Sequence, residues 1–350
     1  MKNLIVILGN GFSIDFIQQM NKSEMVDVRN LFRLGHSVRF PHTNVPGFLS
    51  HKHCPSLWLL GARPNKNDAD SMSIIEEIIT CSNMLFDYLT LADTDKNRLK
   101  LFEKENQSTY IKAYSELITY IRHLFIDYNS KISNDEIRQL IEKFEWGWIR
   151  FFRKAVSSNE YSKIYIITYN YDIWLERIFD VMEVTYNICG CETRDSKINI
   201  VKPHGSISFI PRSGKNKMYE INYQIDSVGA DISQIEVGYT ELSDYDKNFL
   251  IPPAGDSQRR QPDAWATKLR ECAVGAVKEL KEEDEVFICG MSYWHVDRKE
   301  LDELLINLNQ RANITLVNPS PPKELNAVLV TLFENYTVYT ESSAMGEVIS

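Results

Sequence analysis

The sequence lacks a long apolar run and a long basic run, and these two absences argue against two classes of protein. No stretch approaches the ~20 apolar residues that a membrane-spanning helix needs. Basic residues are spread along a chain whose formal net charge is −9 at pH 7. We therefore expect no membrane insertion and no direct binding of nucleic acid.

Cysteine is scarce, and its spacing is not that of a disulfide framework. The six cysteines are Cys54, Cys81, Cys189, Cys191, Cys272 and Cys289. Two metal-like clusters, His51-Lys52-His53-Cys54 and Cys189-Gly190-Cys191, both lack the paired Cys-x-x-Cys spacing of a structural zinc site. The sequence thus predicts free thiols, a cytoplasmic location and no bound metal.

Two catalytic signatures are missing as well. The chain has no Gly-x-x-x-x-Gly-Lys-Ser/Thr run, so we do not expect it to be an ATPase itself. It also has no Gly-x-Ser-x-Gly elbow, which argues against a hydrolase triad built from Ser13, His204 and Ser206.

Short apolar runs that alternate with helical patterns are what the sequence does contain. Residues 3–8, 163–168, 285–289 and 313–317 predict buried strands, and each precedes a helical pattern or a turn. This β-α-β alternation predicts an α/β fold, with a doubly wound, mainly parallel Rossmann-like sheet. The ends of parallel strands gather along one edge of such a sheet, where ligands bind.

The middle of the chain has a different character. Between residues 68 and 157, apolar residues recur at helical spacing, which predicts three or four amphipathic helices. We interpret residues 68–157 as an inserted helical subdomain, and residues 1–30 and 158–350 as the Rossmann-like core of one domain. Residues 30–67 predict a long, ordered loop, which could cover a site.

The first candidate motif is a glycine turn between the first strand and the first helix. Gly9 and Gly11 would let a phosphate approach the helix N-terminus, and Ser13 would be the N-cap. Asp15 would lie in the first turn, where it favours the helix dipole. A tight turn without a ligand is the alternative interpretation.

Polar residues also follow the second predicted strand and a later proline. Asn170 would point into the cleft, whereas Asp172 would either cap the next helix or contact a ligand. His204, followed by Gly205, is a candidate general base because imidazole titrates near neutral pH. A lone histidine is, however, often structural.

Two later strands end in similar residues. Gly290 would form a turn, and Ser292 would supply a hydroxyl to a phosphate or a ribose. Asn318 would supply its side-chain amide to a base or a ribose. Taken singly, each is a common α/β turn.

In their order along the chain, these motifs resemble the sirtuin-like (silent information regulator type) family, and most closely its bacterial anti-phage defence branch. The resemblance implies an NAD+ hydrolase that releases nicotinamide and ADP-ribose and depletes the NAD+ of an infected cell. It implies that Asn170 and His204 are catalytic. The implied NAD+-binding residues are Gly9, Asn10, Gly11, Phe12, Ser13, Asp15, Asp172, Ser206, Gly290, Ser292 and Asn318.

The sequence departs from the deacetylase members of that family in two respects. No cysteine lies between Cys191 and Cys272, so the four-cysteine zinc ribbon is missing. The Pro-Asp-Phe-Arg segment after the glycine turn is not recognisable. An NAD-dependent protein deacylase is therefore a weaker alternative than a module that senses NAD+ or ADP-ribose without cleaving it.

A hydrolase that depletes the NAD+ of its own cell must be inactive until it is needed. We therefore expect its activity to be controlled by homo-oligomerisation, by a ring ATPase or translocase, or by a phage-derived trigger.

Overall fold

The strands lie in one large sheet and one small sheet. The structure, a computed structural model, describes residues 1–43, 45–92, 105–143, 145–215, 220–221, 223, 230–253, 264–294 and 298–348, with the backbone alone for 88–92 and 105–108. In chain order the strands are β1 (Lys2–Leu8), β2 (Tyr161–Thr168), β3 (Tyr186–Ile188), β4 (Ile198–Val201), β5 (Phe209–Pro211), β6 (Ile235–Val237), β7 (Glu285–Cys289), β8 (Asn313–Val317) and β9 (Asn335–Tyr339). Seven of them form an all-parallel sheet in the order β3-β4-β2-β1-β7-β8-β9, and β5 pairs with β6 in the antiparallel sense. The predicted α/β fold with a parallel, Rossmann-like sheet is confirmed.

Helices connect the strands and cover the sheet. Over the described residues they are α1 (Asn10–Gln19), α2 (Pro55–Leu59), α3 (Asp68–Ala92), α4 (Glu105–Ser130), α5 (Asn134–Lys143), α6 (Gly147–Ser157), α7 (Trp174–Val181), α8 (Trp265–Lys278), α9 (Arg298–Asn307), α10 (Lys323–Leu332) and α11 (Met345–Val348). In the same part of the chain, no helix has the length and apolar character needed to cross a membrane.

The strand order reverses at β1, in the middle of the sheet. β1 pairs with β2 on one side and with β7 on the other, and Leu8 is in register with both Thr168 and Cys289. The carboxyl ends of the three strands therefore lie at one level. In open parallel sheets, the crevice outside such a reversal point is where ligands bind.

Apolar cores lie on both faces of the sheet. Along β1, Leu4 and Val6 pack into one core, and Ile5 and Ile7 pack into the other. All four side chains are completely buried, as is typical of a parallel strand that is covered on both faces. The second core includes residues of α9 and α10, the first includes residues of α1 and of α3 to α7, and α8 contributes residues to both.

The middle of the chain is helical, as predicted. Buried side chains of α4, such as Leu117 and Leu124, belong to the same apolar core as Leu4 of β1. Because these helices and the sheet share one apolar core, the separation of residues 68–157 as an inserted subdomain stays a prediction. Residues 93–104 of that range lie outside the described residues.

The segment before α3 is an ordered loop in its described residues. Apart from α2, residues 30–67 contain little regular secondary structure. Phe48 is completely buried, and its ring stacks on His123 of α4 with centroids 5.3 Å apart. Residue 44 lies outside the described residues. The aromatic and apolar side chains of this loop thus anchor it to the helices.

Candidate functional site

A cavity of about 330 Å³ lies at the carboxyl ends of β1 and β2, next to the loop that follows β7. Its walls come from segments far apart in the sequence. The lining residues are Gly9, Asn10, Val28, Arg29, Leu31, Met72, Phe125, Tyr169, Asn170, Tyr171, Asp172, His204, Pro253, Gly290, Met291, Ser292 and Trp294. The cavity thus lies at the point where the strand order reverses.

The structure brings part of the predicted site together at this cavity. The predicted residues that line it are Gly9, Asn10, Asn170, Asp172, His204, Gly290 and Ser292. The predicted residues that are not part of the lining are Gly11, Phe12, Ser13, Asp15, Ser206 and Asn318. Ligand binding by any of these six residues stays a prediction.

The glycine turn after β1 packs tightly against the turn after β7. The amide of Gly9 donates a hydrogen bond to the Cys289 carbonyl at 2.9 Å, and that of Gly11 to the Gly290 carbonyl at 3.1 Å. A Cβ atom on Gly11 would lie 2.4 Å from the Cα of Gly290, so no side chain fits there. Close packing of two turns thus accounts for these glycines, and their two N–H groups are already engaged.

The start of α1 differs from the sequence prediction. The helix begins at Asn10, with extended backbone at Gly9 as its N-cap, so Ser13 lies inside the helix and Asp15 beyond the first turn. The prediction that Ser13 is the N-cap is wrong, because the extended backbone at Gly9 allows the helix to start immediately after the strand. The Asn10 side chain instead donates to the Val28 carbonyl at 2.9 Å, which ties the turn to the following loop.

Asn170 links the end of β2 to α1. Its side-chain Nδ2 donates to the Gly9 carbonyl at 3.0 Å and to the Ser13 hydroxyl at 2.9 Å. The Ser13 hydroxyl in turn donates to Oδ2 of Asp172 at 2.6 Å. Because both hydrogens of Nδ2 are directed at protein atoms, Oδ1 is the atom of Asn170 that can accept a hydrogen bond from a ligand.

Asp172 also holds the start of the next helix. Its Oδ1 accepts a hydrogen bond from the Trp174 amide at 3.2 Å, but the N-cap of α7 is Ile173, so Asp172 contacts the first turn from one residue before the N-cap and is not the cap itself. The side chain is buried. Burial raises the pKa of Asp172, although the charge of Lys202 and the hydrogen bond from Ser13 oppose that shift.

A buried ion pair lies beneath this corner of the site. The ammonium of Lys202 is 2.7 Å from Oε1 of Glu176, and both side chains are almost inaccessible to solvent, at 1% and 0%. Lys202 also donates to the backbone carbonyl of Asp172 at 2.6 Å. Burial raises the pKa of Glu176, and the Lys202 charge opposes that shift. Lys202 thereby ties the end of β4 to the start of α7.

His204 forms a pair with a carboxylate that lies far along the chain. Its Nε2 is 3.0 Å from Oε2 of Glu300, in the first turn of α9, and each side chain is only 5% exposed. The ring of Tyr169 meets the imidazole edge-on, with centroids 4.9 Å apart. A histidine held by a buried carboxylate is oriented as a general base requires.

The residues after His204 serve the local backbone. Gly205 has a φ of +82°, and a Cβ atom there would lie 1.9 Å from the Phe249 carbonyl oxygen. Close approach of another backbone therefore requires this glycine, as the sequence suggested. Ser206 is completely buried and accepts a hydrogen bond from the Ser208 hydroxyl at 2.8 Å.

The other predicted residues support the cavity from outside. The side-chain amide of Asn318 donates a hydrogen bond to the Met291 carbonyl at 3.3 Å, which holds the loop that carries Ser292. Phe12 packs against Trp146, with ring centroids 5.4 Å apart, and Asp15 accepts a hydrogen bond from the indole of the same tryptophan at 2.8 Å.

Sequence reasoning missed several residues of the cavity wall. Arg29 is exposed and adds a guanidinium group, which suits a phosphate. Met72 of α3 and Phe125 of α4 bring the helical region into the wall. Only the three-dimensional structure pairs Glu300 with His204.

No cysteine is among the residues that line the cavity. All six cysteines are free, and Cys289 is buried, as predicted; burial raises the pKa of its thiol. Across the described ranges, no group of three or more His, Cys, Asp or Glu side chains is placed to hold a metal ion.

No protein-family model and no curated protein matches this chain.

Proposed function

We propose that this protein is an NAD+ glycohydrolase of the sirtuin-like type, which cleaves NAD+ to nicotinamide and ADP-ribose. One observation carries the proposal: Asn170, Asp172 and His204 line a single cavity together with the Gly9 and Gly290 turns. That cavity lies where open parallel sheets bind nucleotides.

The size and lining of the cavity support one orientation of the substrate. A volume of about 330 Å³ lies near the lower end of the ~300–1,000 Å³ typical of small-molecule sites. It suits the nicotinamide and its ribose rather than a whole dinucleotide. In this orientation the pyrophosphate extends past Arg29, whose guanidinium pairs with phosphate oxygens.

The polar residues fit the chemistry of this cleavage. The bond between C1′ of the ribose and the nicotinamide nitrogen breaks, and its electron pair leaves with the ring, which becomes neutral. Water then attacks the positively charged ribose carbon and gives up one proton, for which His204 is the base. Asn170 Oδ1 accepts a hydrogen bond from that water or from a ribose hydroxyl. General-base assistance contributes about 10²–10⁴-fold to such a rate.

In a cell, this activity would deplete NAD+ and act in the cytoplasm as a regulated effector of bacterial anti-phage defence. Control through the helical region is supported by Met72 and Phe125, which carry α3 and α4 into the cavity wall. A homo-oligomer contact, a ring ATPase or translocase, or a phage-derived trigger that binds these helices would thereby change access to the site.

A cavity-blocking variant tests the assignment without altering a catalytic group. Ser292 lines the cavity and is exposed, so Ser292→Trp fills the cavity with an indole. Ser320→Trp is the matched control, because Ser320 is exposed and is not part of the lining. We expect Ser292→Trp to lose both NAD+ binding and nicotinamide release, and Ser320→Trp to retain both.

Three other outcomes would change the assignment. Binding of NAD+ or ADP-ribose without release of nicotinamide would replace the hydrolase by a sensing module. Equal activity of the two tryptophan variants would place the reaction elsewhere on the molecule. Absence of both binding and cleavage in the wild-type protein would reject the proposal.

A further inference from the structure

We propose that Glu300 is a positioning residue of this site, which holds His204 in a single tautomer and raises its basicity. The inference rests on the proposed function in one respect, namely that His204 acts as the base. The pairing itself is a property of the ligand-free protein, and it can be measured without NAD+.

The geometry of the pair is specific. Oε2 of Glu300 is 3.0 Å from Nε2 of His204, a distance typical of a charge-assisted hydrogen bond or slightly longer. Both side chains are 5% exposed. Glutamate is almost never buried without a partner, because removing its charge from water is costly. Imidazole and carboxylate therefore satisfy each other.

The pair determines which ring nitrogen can act as a base. An ionised carboxylate only accepts hydrogen bonds, so the hydrogen of the neutral imidazole is on Nε2 and the lone pair is on Nδ1. When His204 takes a proton, Glu300 stabilises the resulting imidazolium. Glu300 thus acts through His204 and does not itself contact the substrate.

Other charged and titratable groups surround the cavity and bear on the protonation of His204. Tyr169 meets the ring edge-on, and Asp172 and Arg29 share the cavity wall with it. Lys202, two residues earlier in the chain, is neutralised by Glu176 of α7. Within the described residues, Glu300 is the carboxylate whose distance to the ring, 3.0 Å, permits a hydrogen bond.

Nitrogen-15 NMR of histidine-labelled, ligand-free protein tests the inference. Wild-type, Glu300→Gln and Glu303→Gln proteins are titrated, and His204→Asn assigns the signal. Glu303 is the matched control because it lies one turn further along α9 and faces Arg270 at 3.4 Å. We expect the Nε2–H tautomer in the wild type, and a pKa of His204 lower by about one unit or more in Glu300→Gln. Glu303→Gln is expected to leave both unchanged.

Two results would overturn the inference. One is the finding that the His204 ring of the wild type is in the Nδ1–H tautomer. This measurement uses the wild type alone, so it can be made even if Glu300→Gln fails to fold. The other is a tautomer and pKa that do not change in a folded Glu300→Gln protein. A purely structural ion pair would lower the melting temperature of Glu300→Gln and leave the pH dependence of turnover unchanged.

The kinetic counterpart separates this inference from the proposed function. In Glu300→Gln, kcat should fall with KM unchanged, and the acidic limb of the kcat/KM–pH profile, which reports the free enzyme, should move down by the same interval as the pKa of His204 in the ligand-free protein. A protein that shows the predicted NMR behaviour but never cleaves NAD+ would reject the proposed function and leave the pairing intact.

Discussion

Asn170 donates one hydrogen bond to the Gly9 carbonyl, at 3.0 Å, and a second to the Ser13 hydroxyl, at 2.9 Å. The end of β2 is thereby tied to the first turn of α1, across the same edge of the sheet where the cavity opens. A residue chosen from the sequence as catalytic thus also contributes to the fold. Tests of its chemistry must therefore measure stability alongside activity.

Replacing Asn170 by alanine is expected to affect both properties. The variant leaves the Gly9 carbonyl without the Asn170 amide, which lowers the free energy of unfolding by about 1–3 kcal/mol. It also removes Oδ1 from the cavity, so nicotinamide release should be lost. Ser13→Ala is the comparison variant: it removes one of the two hydrogen bonds, and the Ser13 bond to Asp172 with it, but keeps Oδ1 of Asn170, so it should weaken the fold while retaining more turnover than Asn170→Ala. Urea unfolding and nicotinamide release measure the two effects, and full turnover by Asn170→Ala would contradict the assignment.

Gly11 should not tolerate a side chain. A Cβ atom at this position would lie 2.4 Å from the Cα of Gly290, so one of the two turns must move. We expect Gly11→Ala to lower the free energy of unfolding by about 1–3 kcal/mol, as overpacking does.

Gly275 provides the opposite case, because a Cβ atom there would meet nothing within 4 Å. It lies within α8. Gly275→Ala should therefore raise stability by about 0.5–1 kcal/mol, the usual gain for alanine over glycine in a helix. Chemical unfolding of both variants provides the comparison. A Gly11→Ala protein as stable as the wild type would show that the two turns are not packed as described.

His123 makes stability depend on pH. Burial, and then the Arg122 and His42 charges, lower its pKa well below the ordinary value of 6.5, so the ring is neutral in the folded protein. The unfolded chain binds a proton at this residue below about pH 6.5, and the stability associated with the neutral ring is lost as the pH falls through that value. The loss reaches about 1.4 kcal/mol per pH unit.

The difference between wild type and His123→Gln isolates this contribution, because groups common to both proteins cancel. We expect the wild type to lose stability relative to the variant on going from pH 7 to pH 5, as measured by urea unfolding at each pH. Parallel stability curves for the two proteins would show that His123 is protonated in the folded state.

Features that depend on neighbouring residues in the chain were predictable from the sequence. Residues 285–289 and 313–317 were predicted as strands and are β7 and β8, because an apolar run between turns is a local signal. Where a helix starts was harder to predict. Ser13 looked like a good N-cap, but the extended backbone at Gly9 starts α1 at Asn10.

The site was predictable only in part, and the reason is physical. Asn170 and His204 follow β2 and β4, so the convergence of parallel strand ends brings them to one edge. Glu300 is 96 residues from His204, and Arg29 belongs to a loop without periodicity. Their positions depend on how α9 and that loop pack on the sheet, which no local pattern encodes.

The most direct test of the central claim is chromatography of NAD+ after incubation with the wild-type protein and with His204→Ala. The account predicts nicotinamide and ADP-ribose from the wild type, with a rate about 10²-fold or more above that of the variant. Nicotinamide released equally fast by both proteins would contradict it.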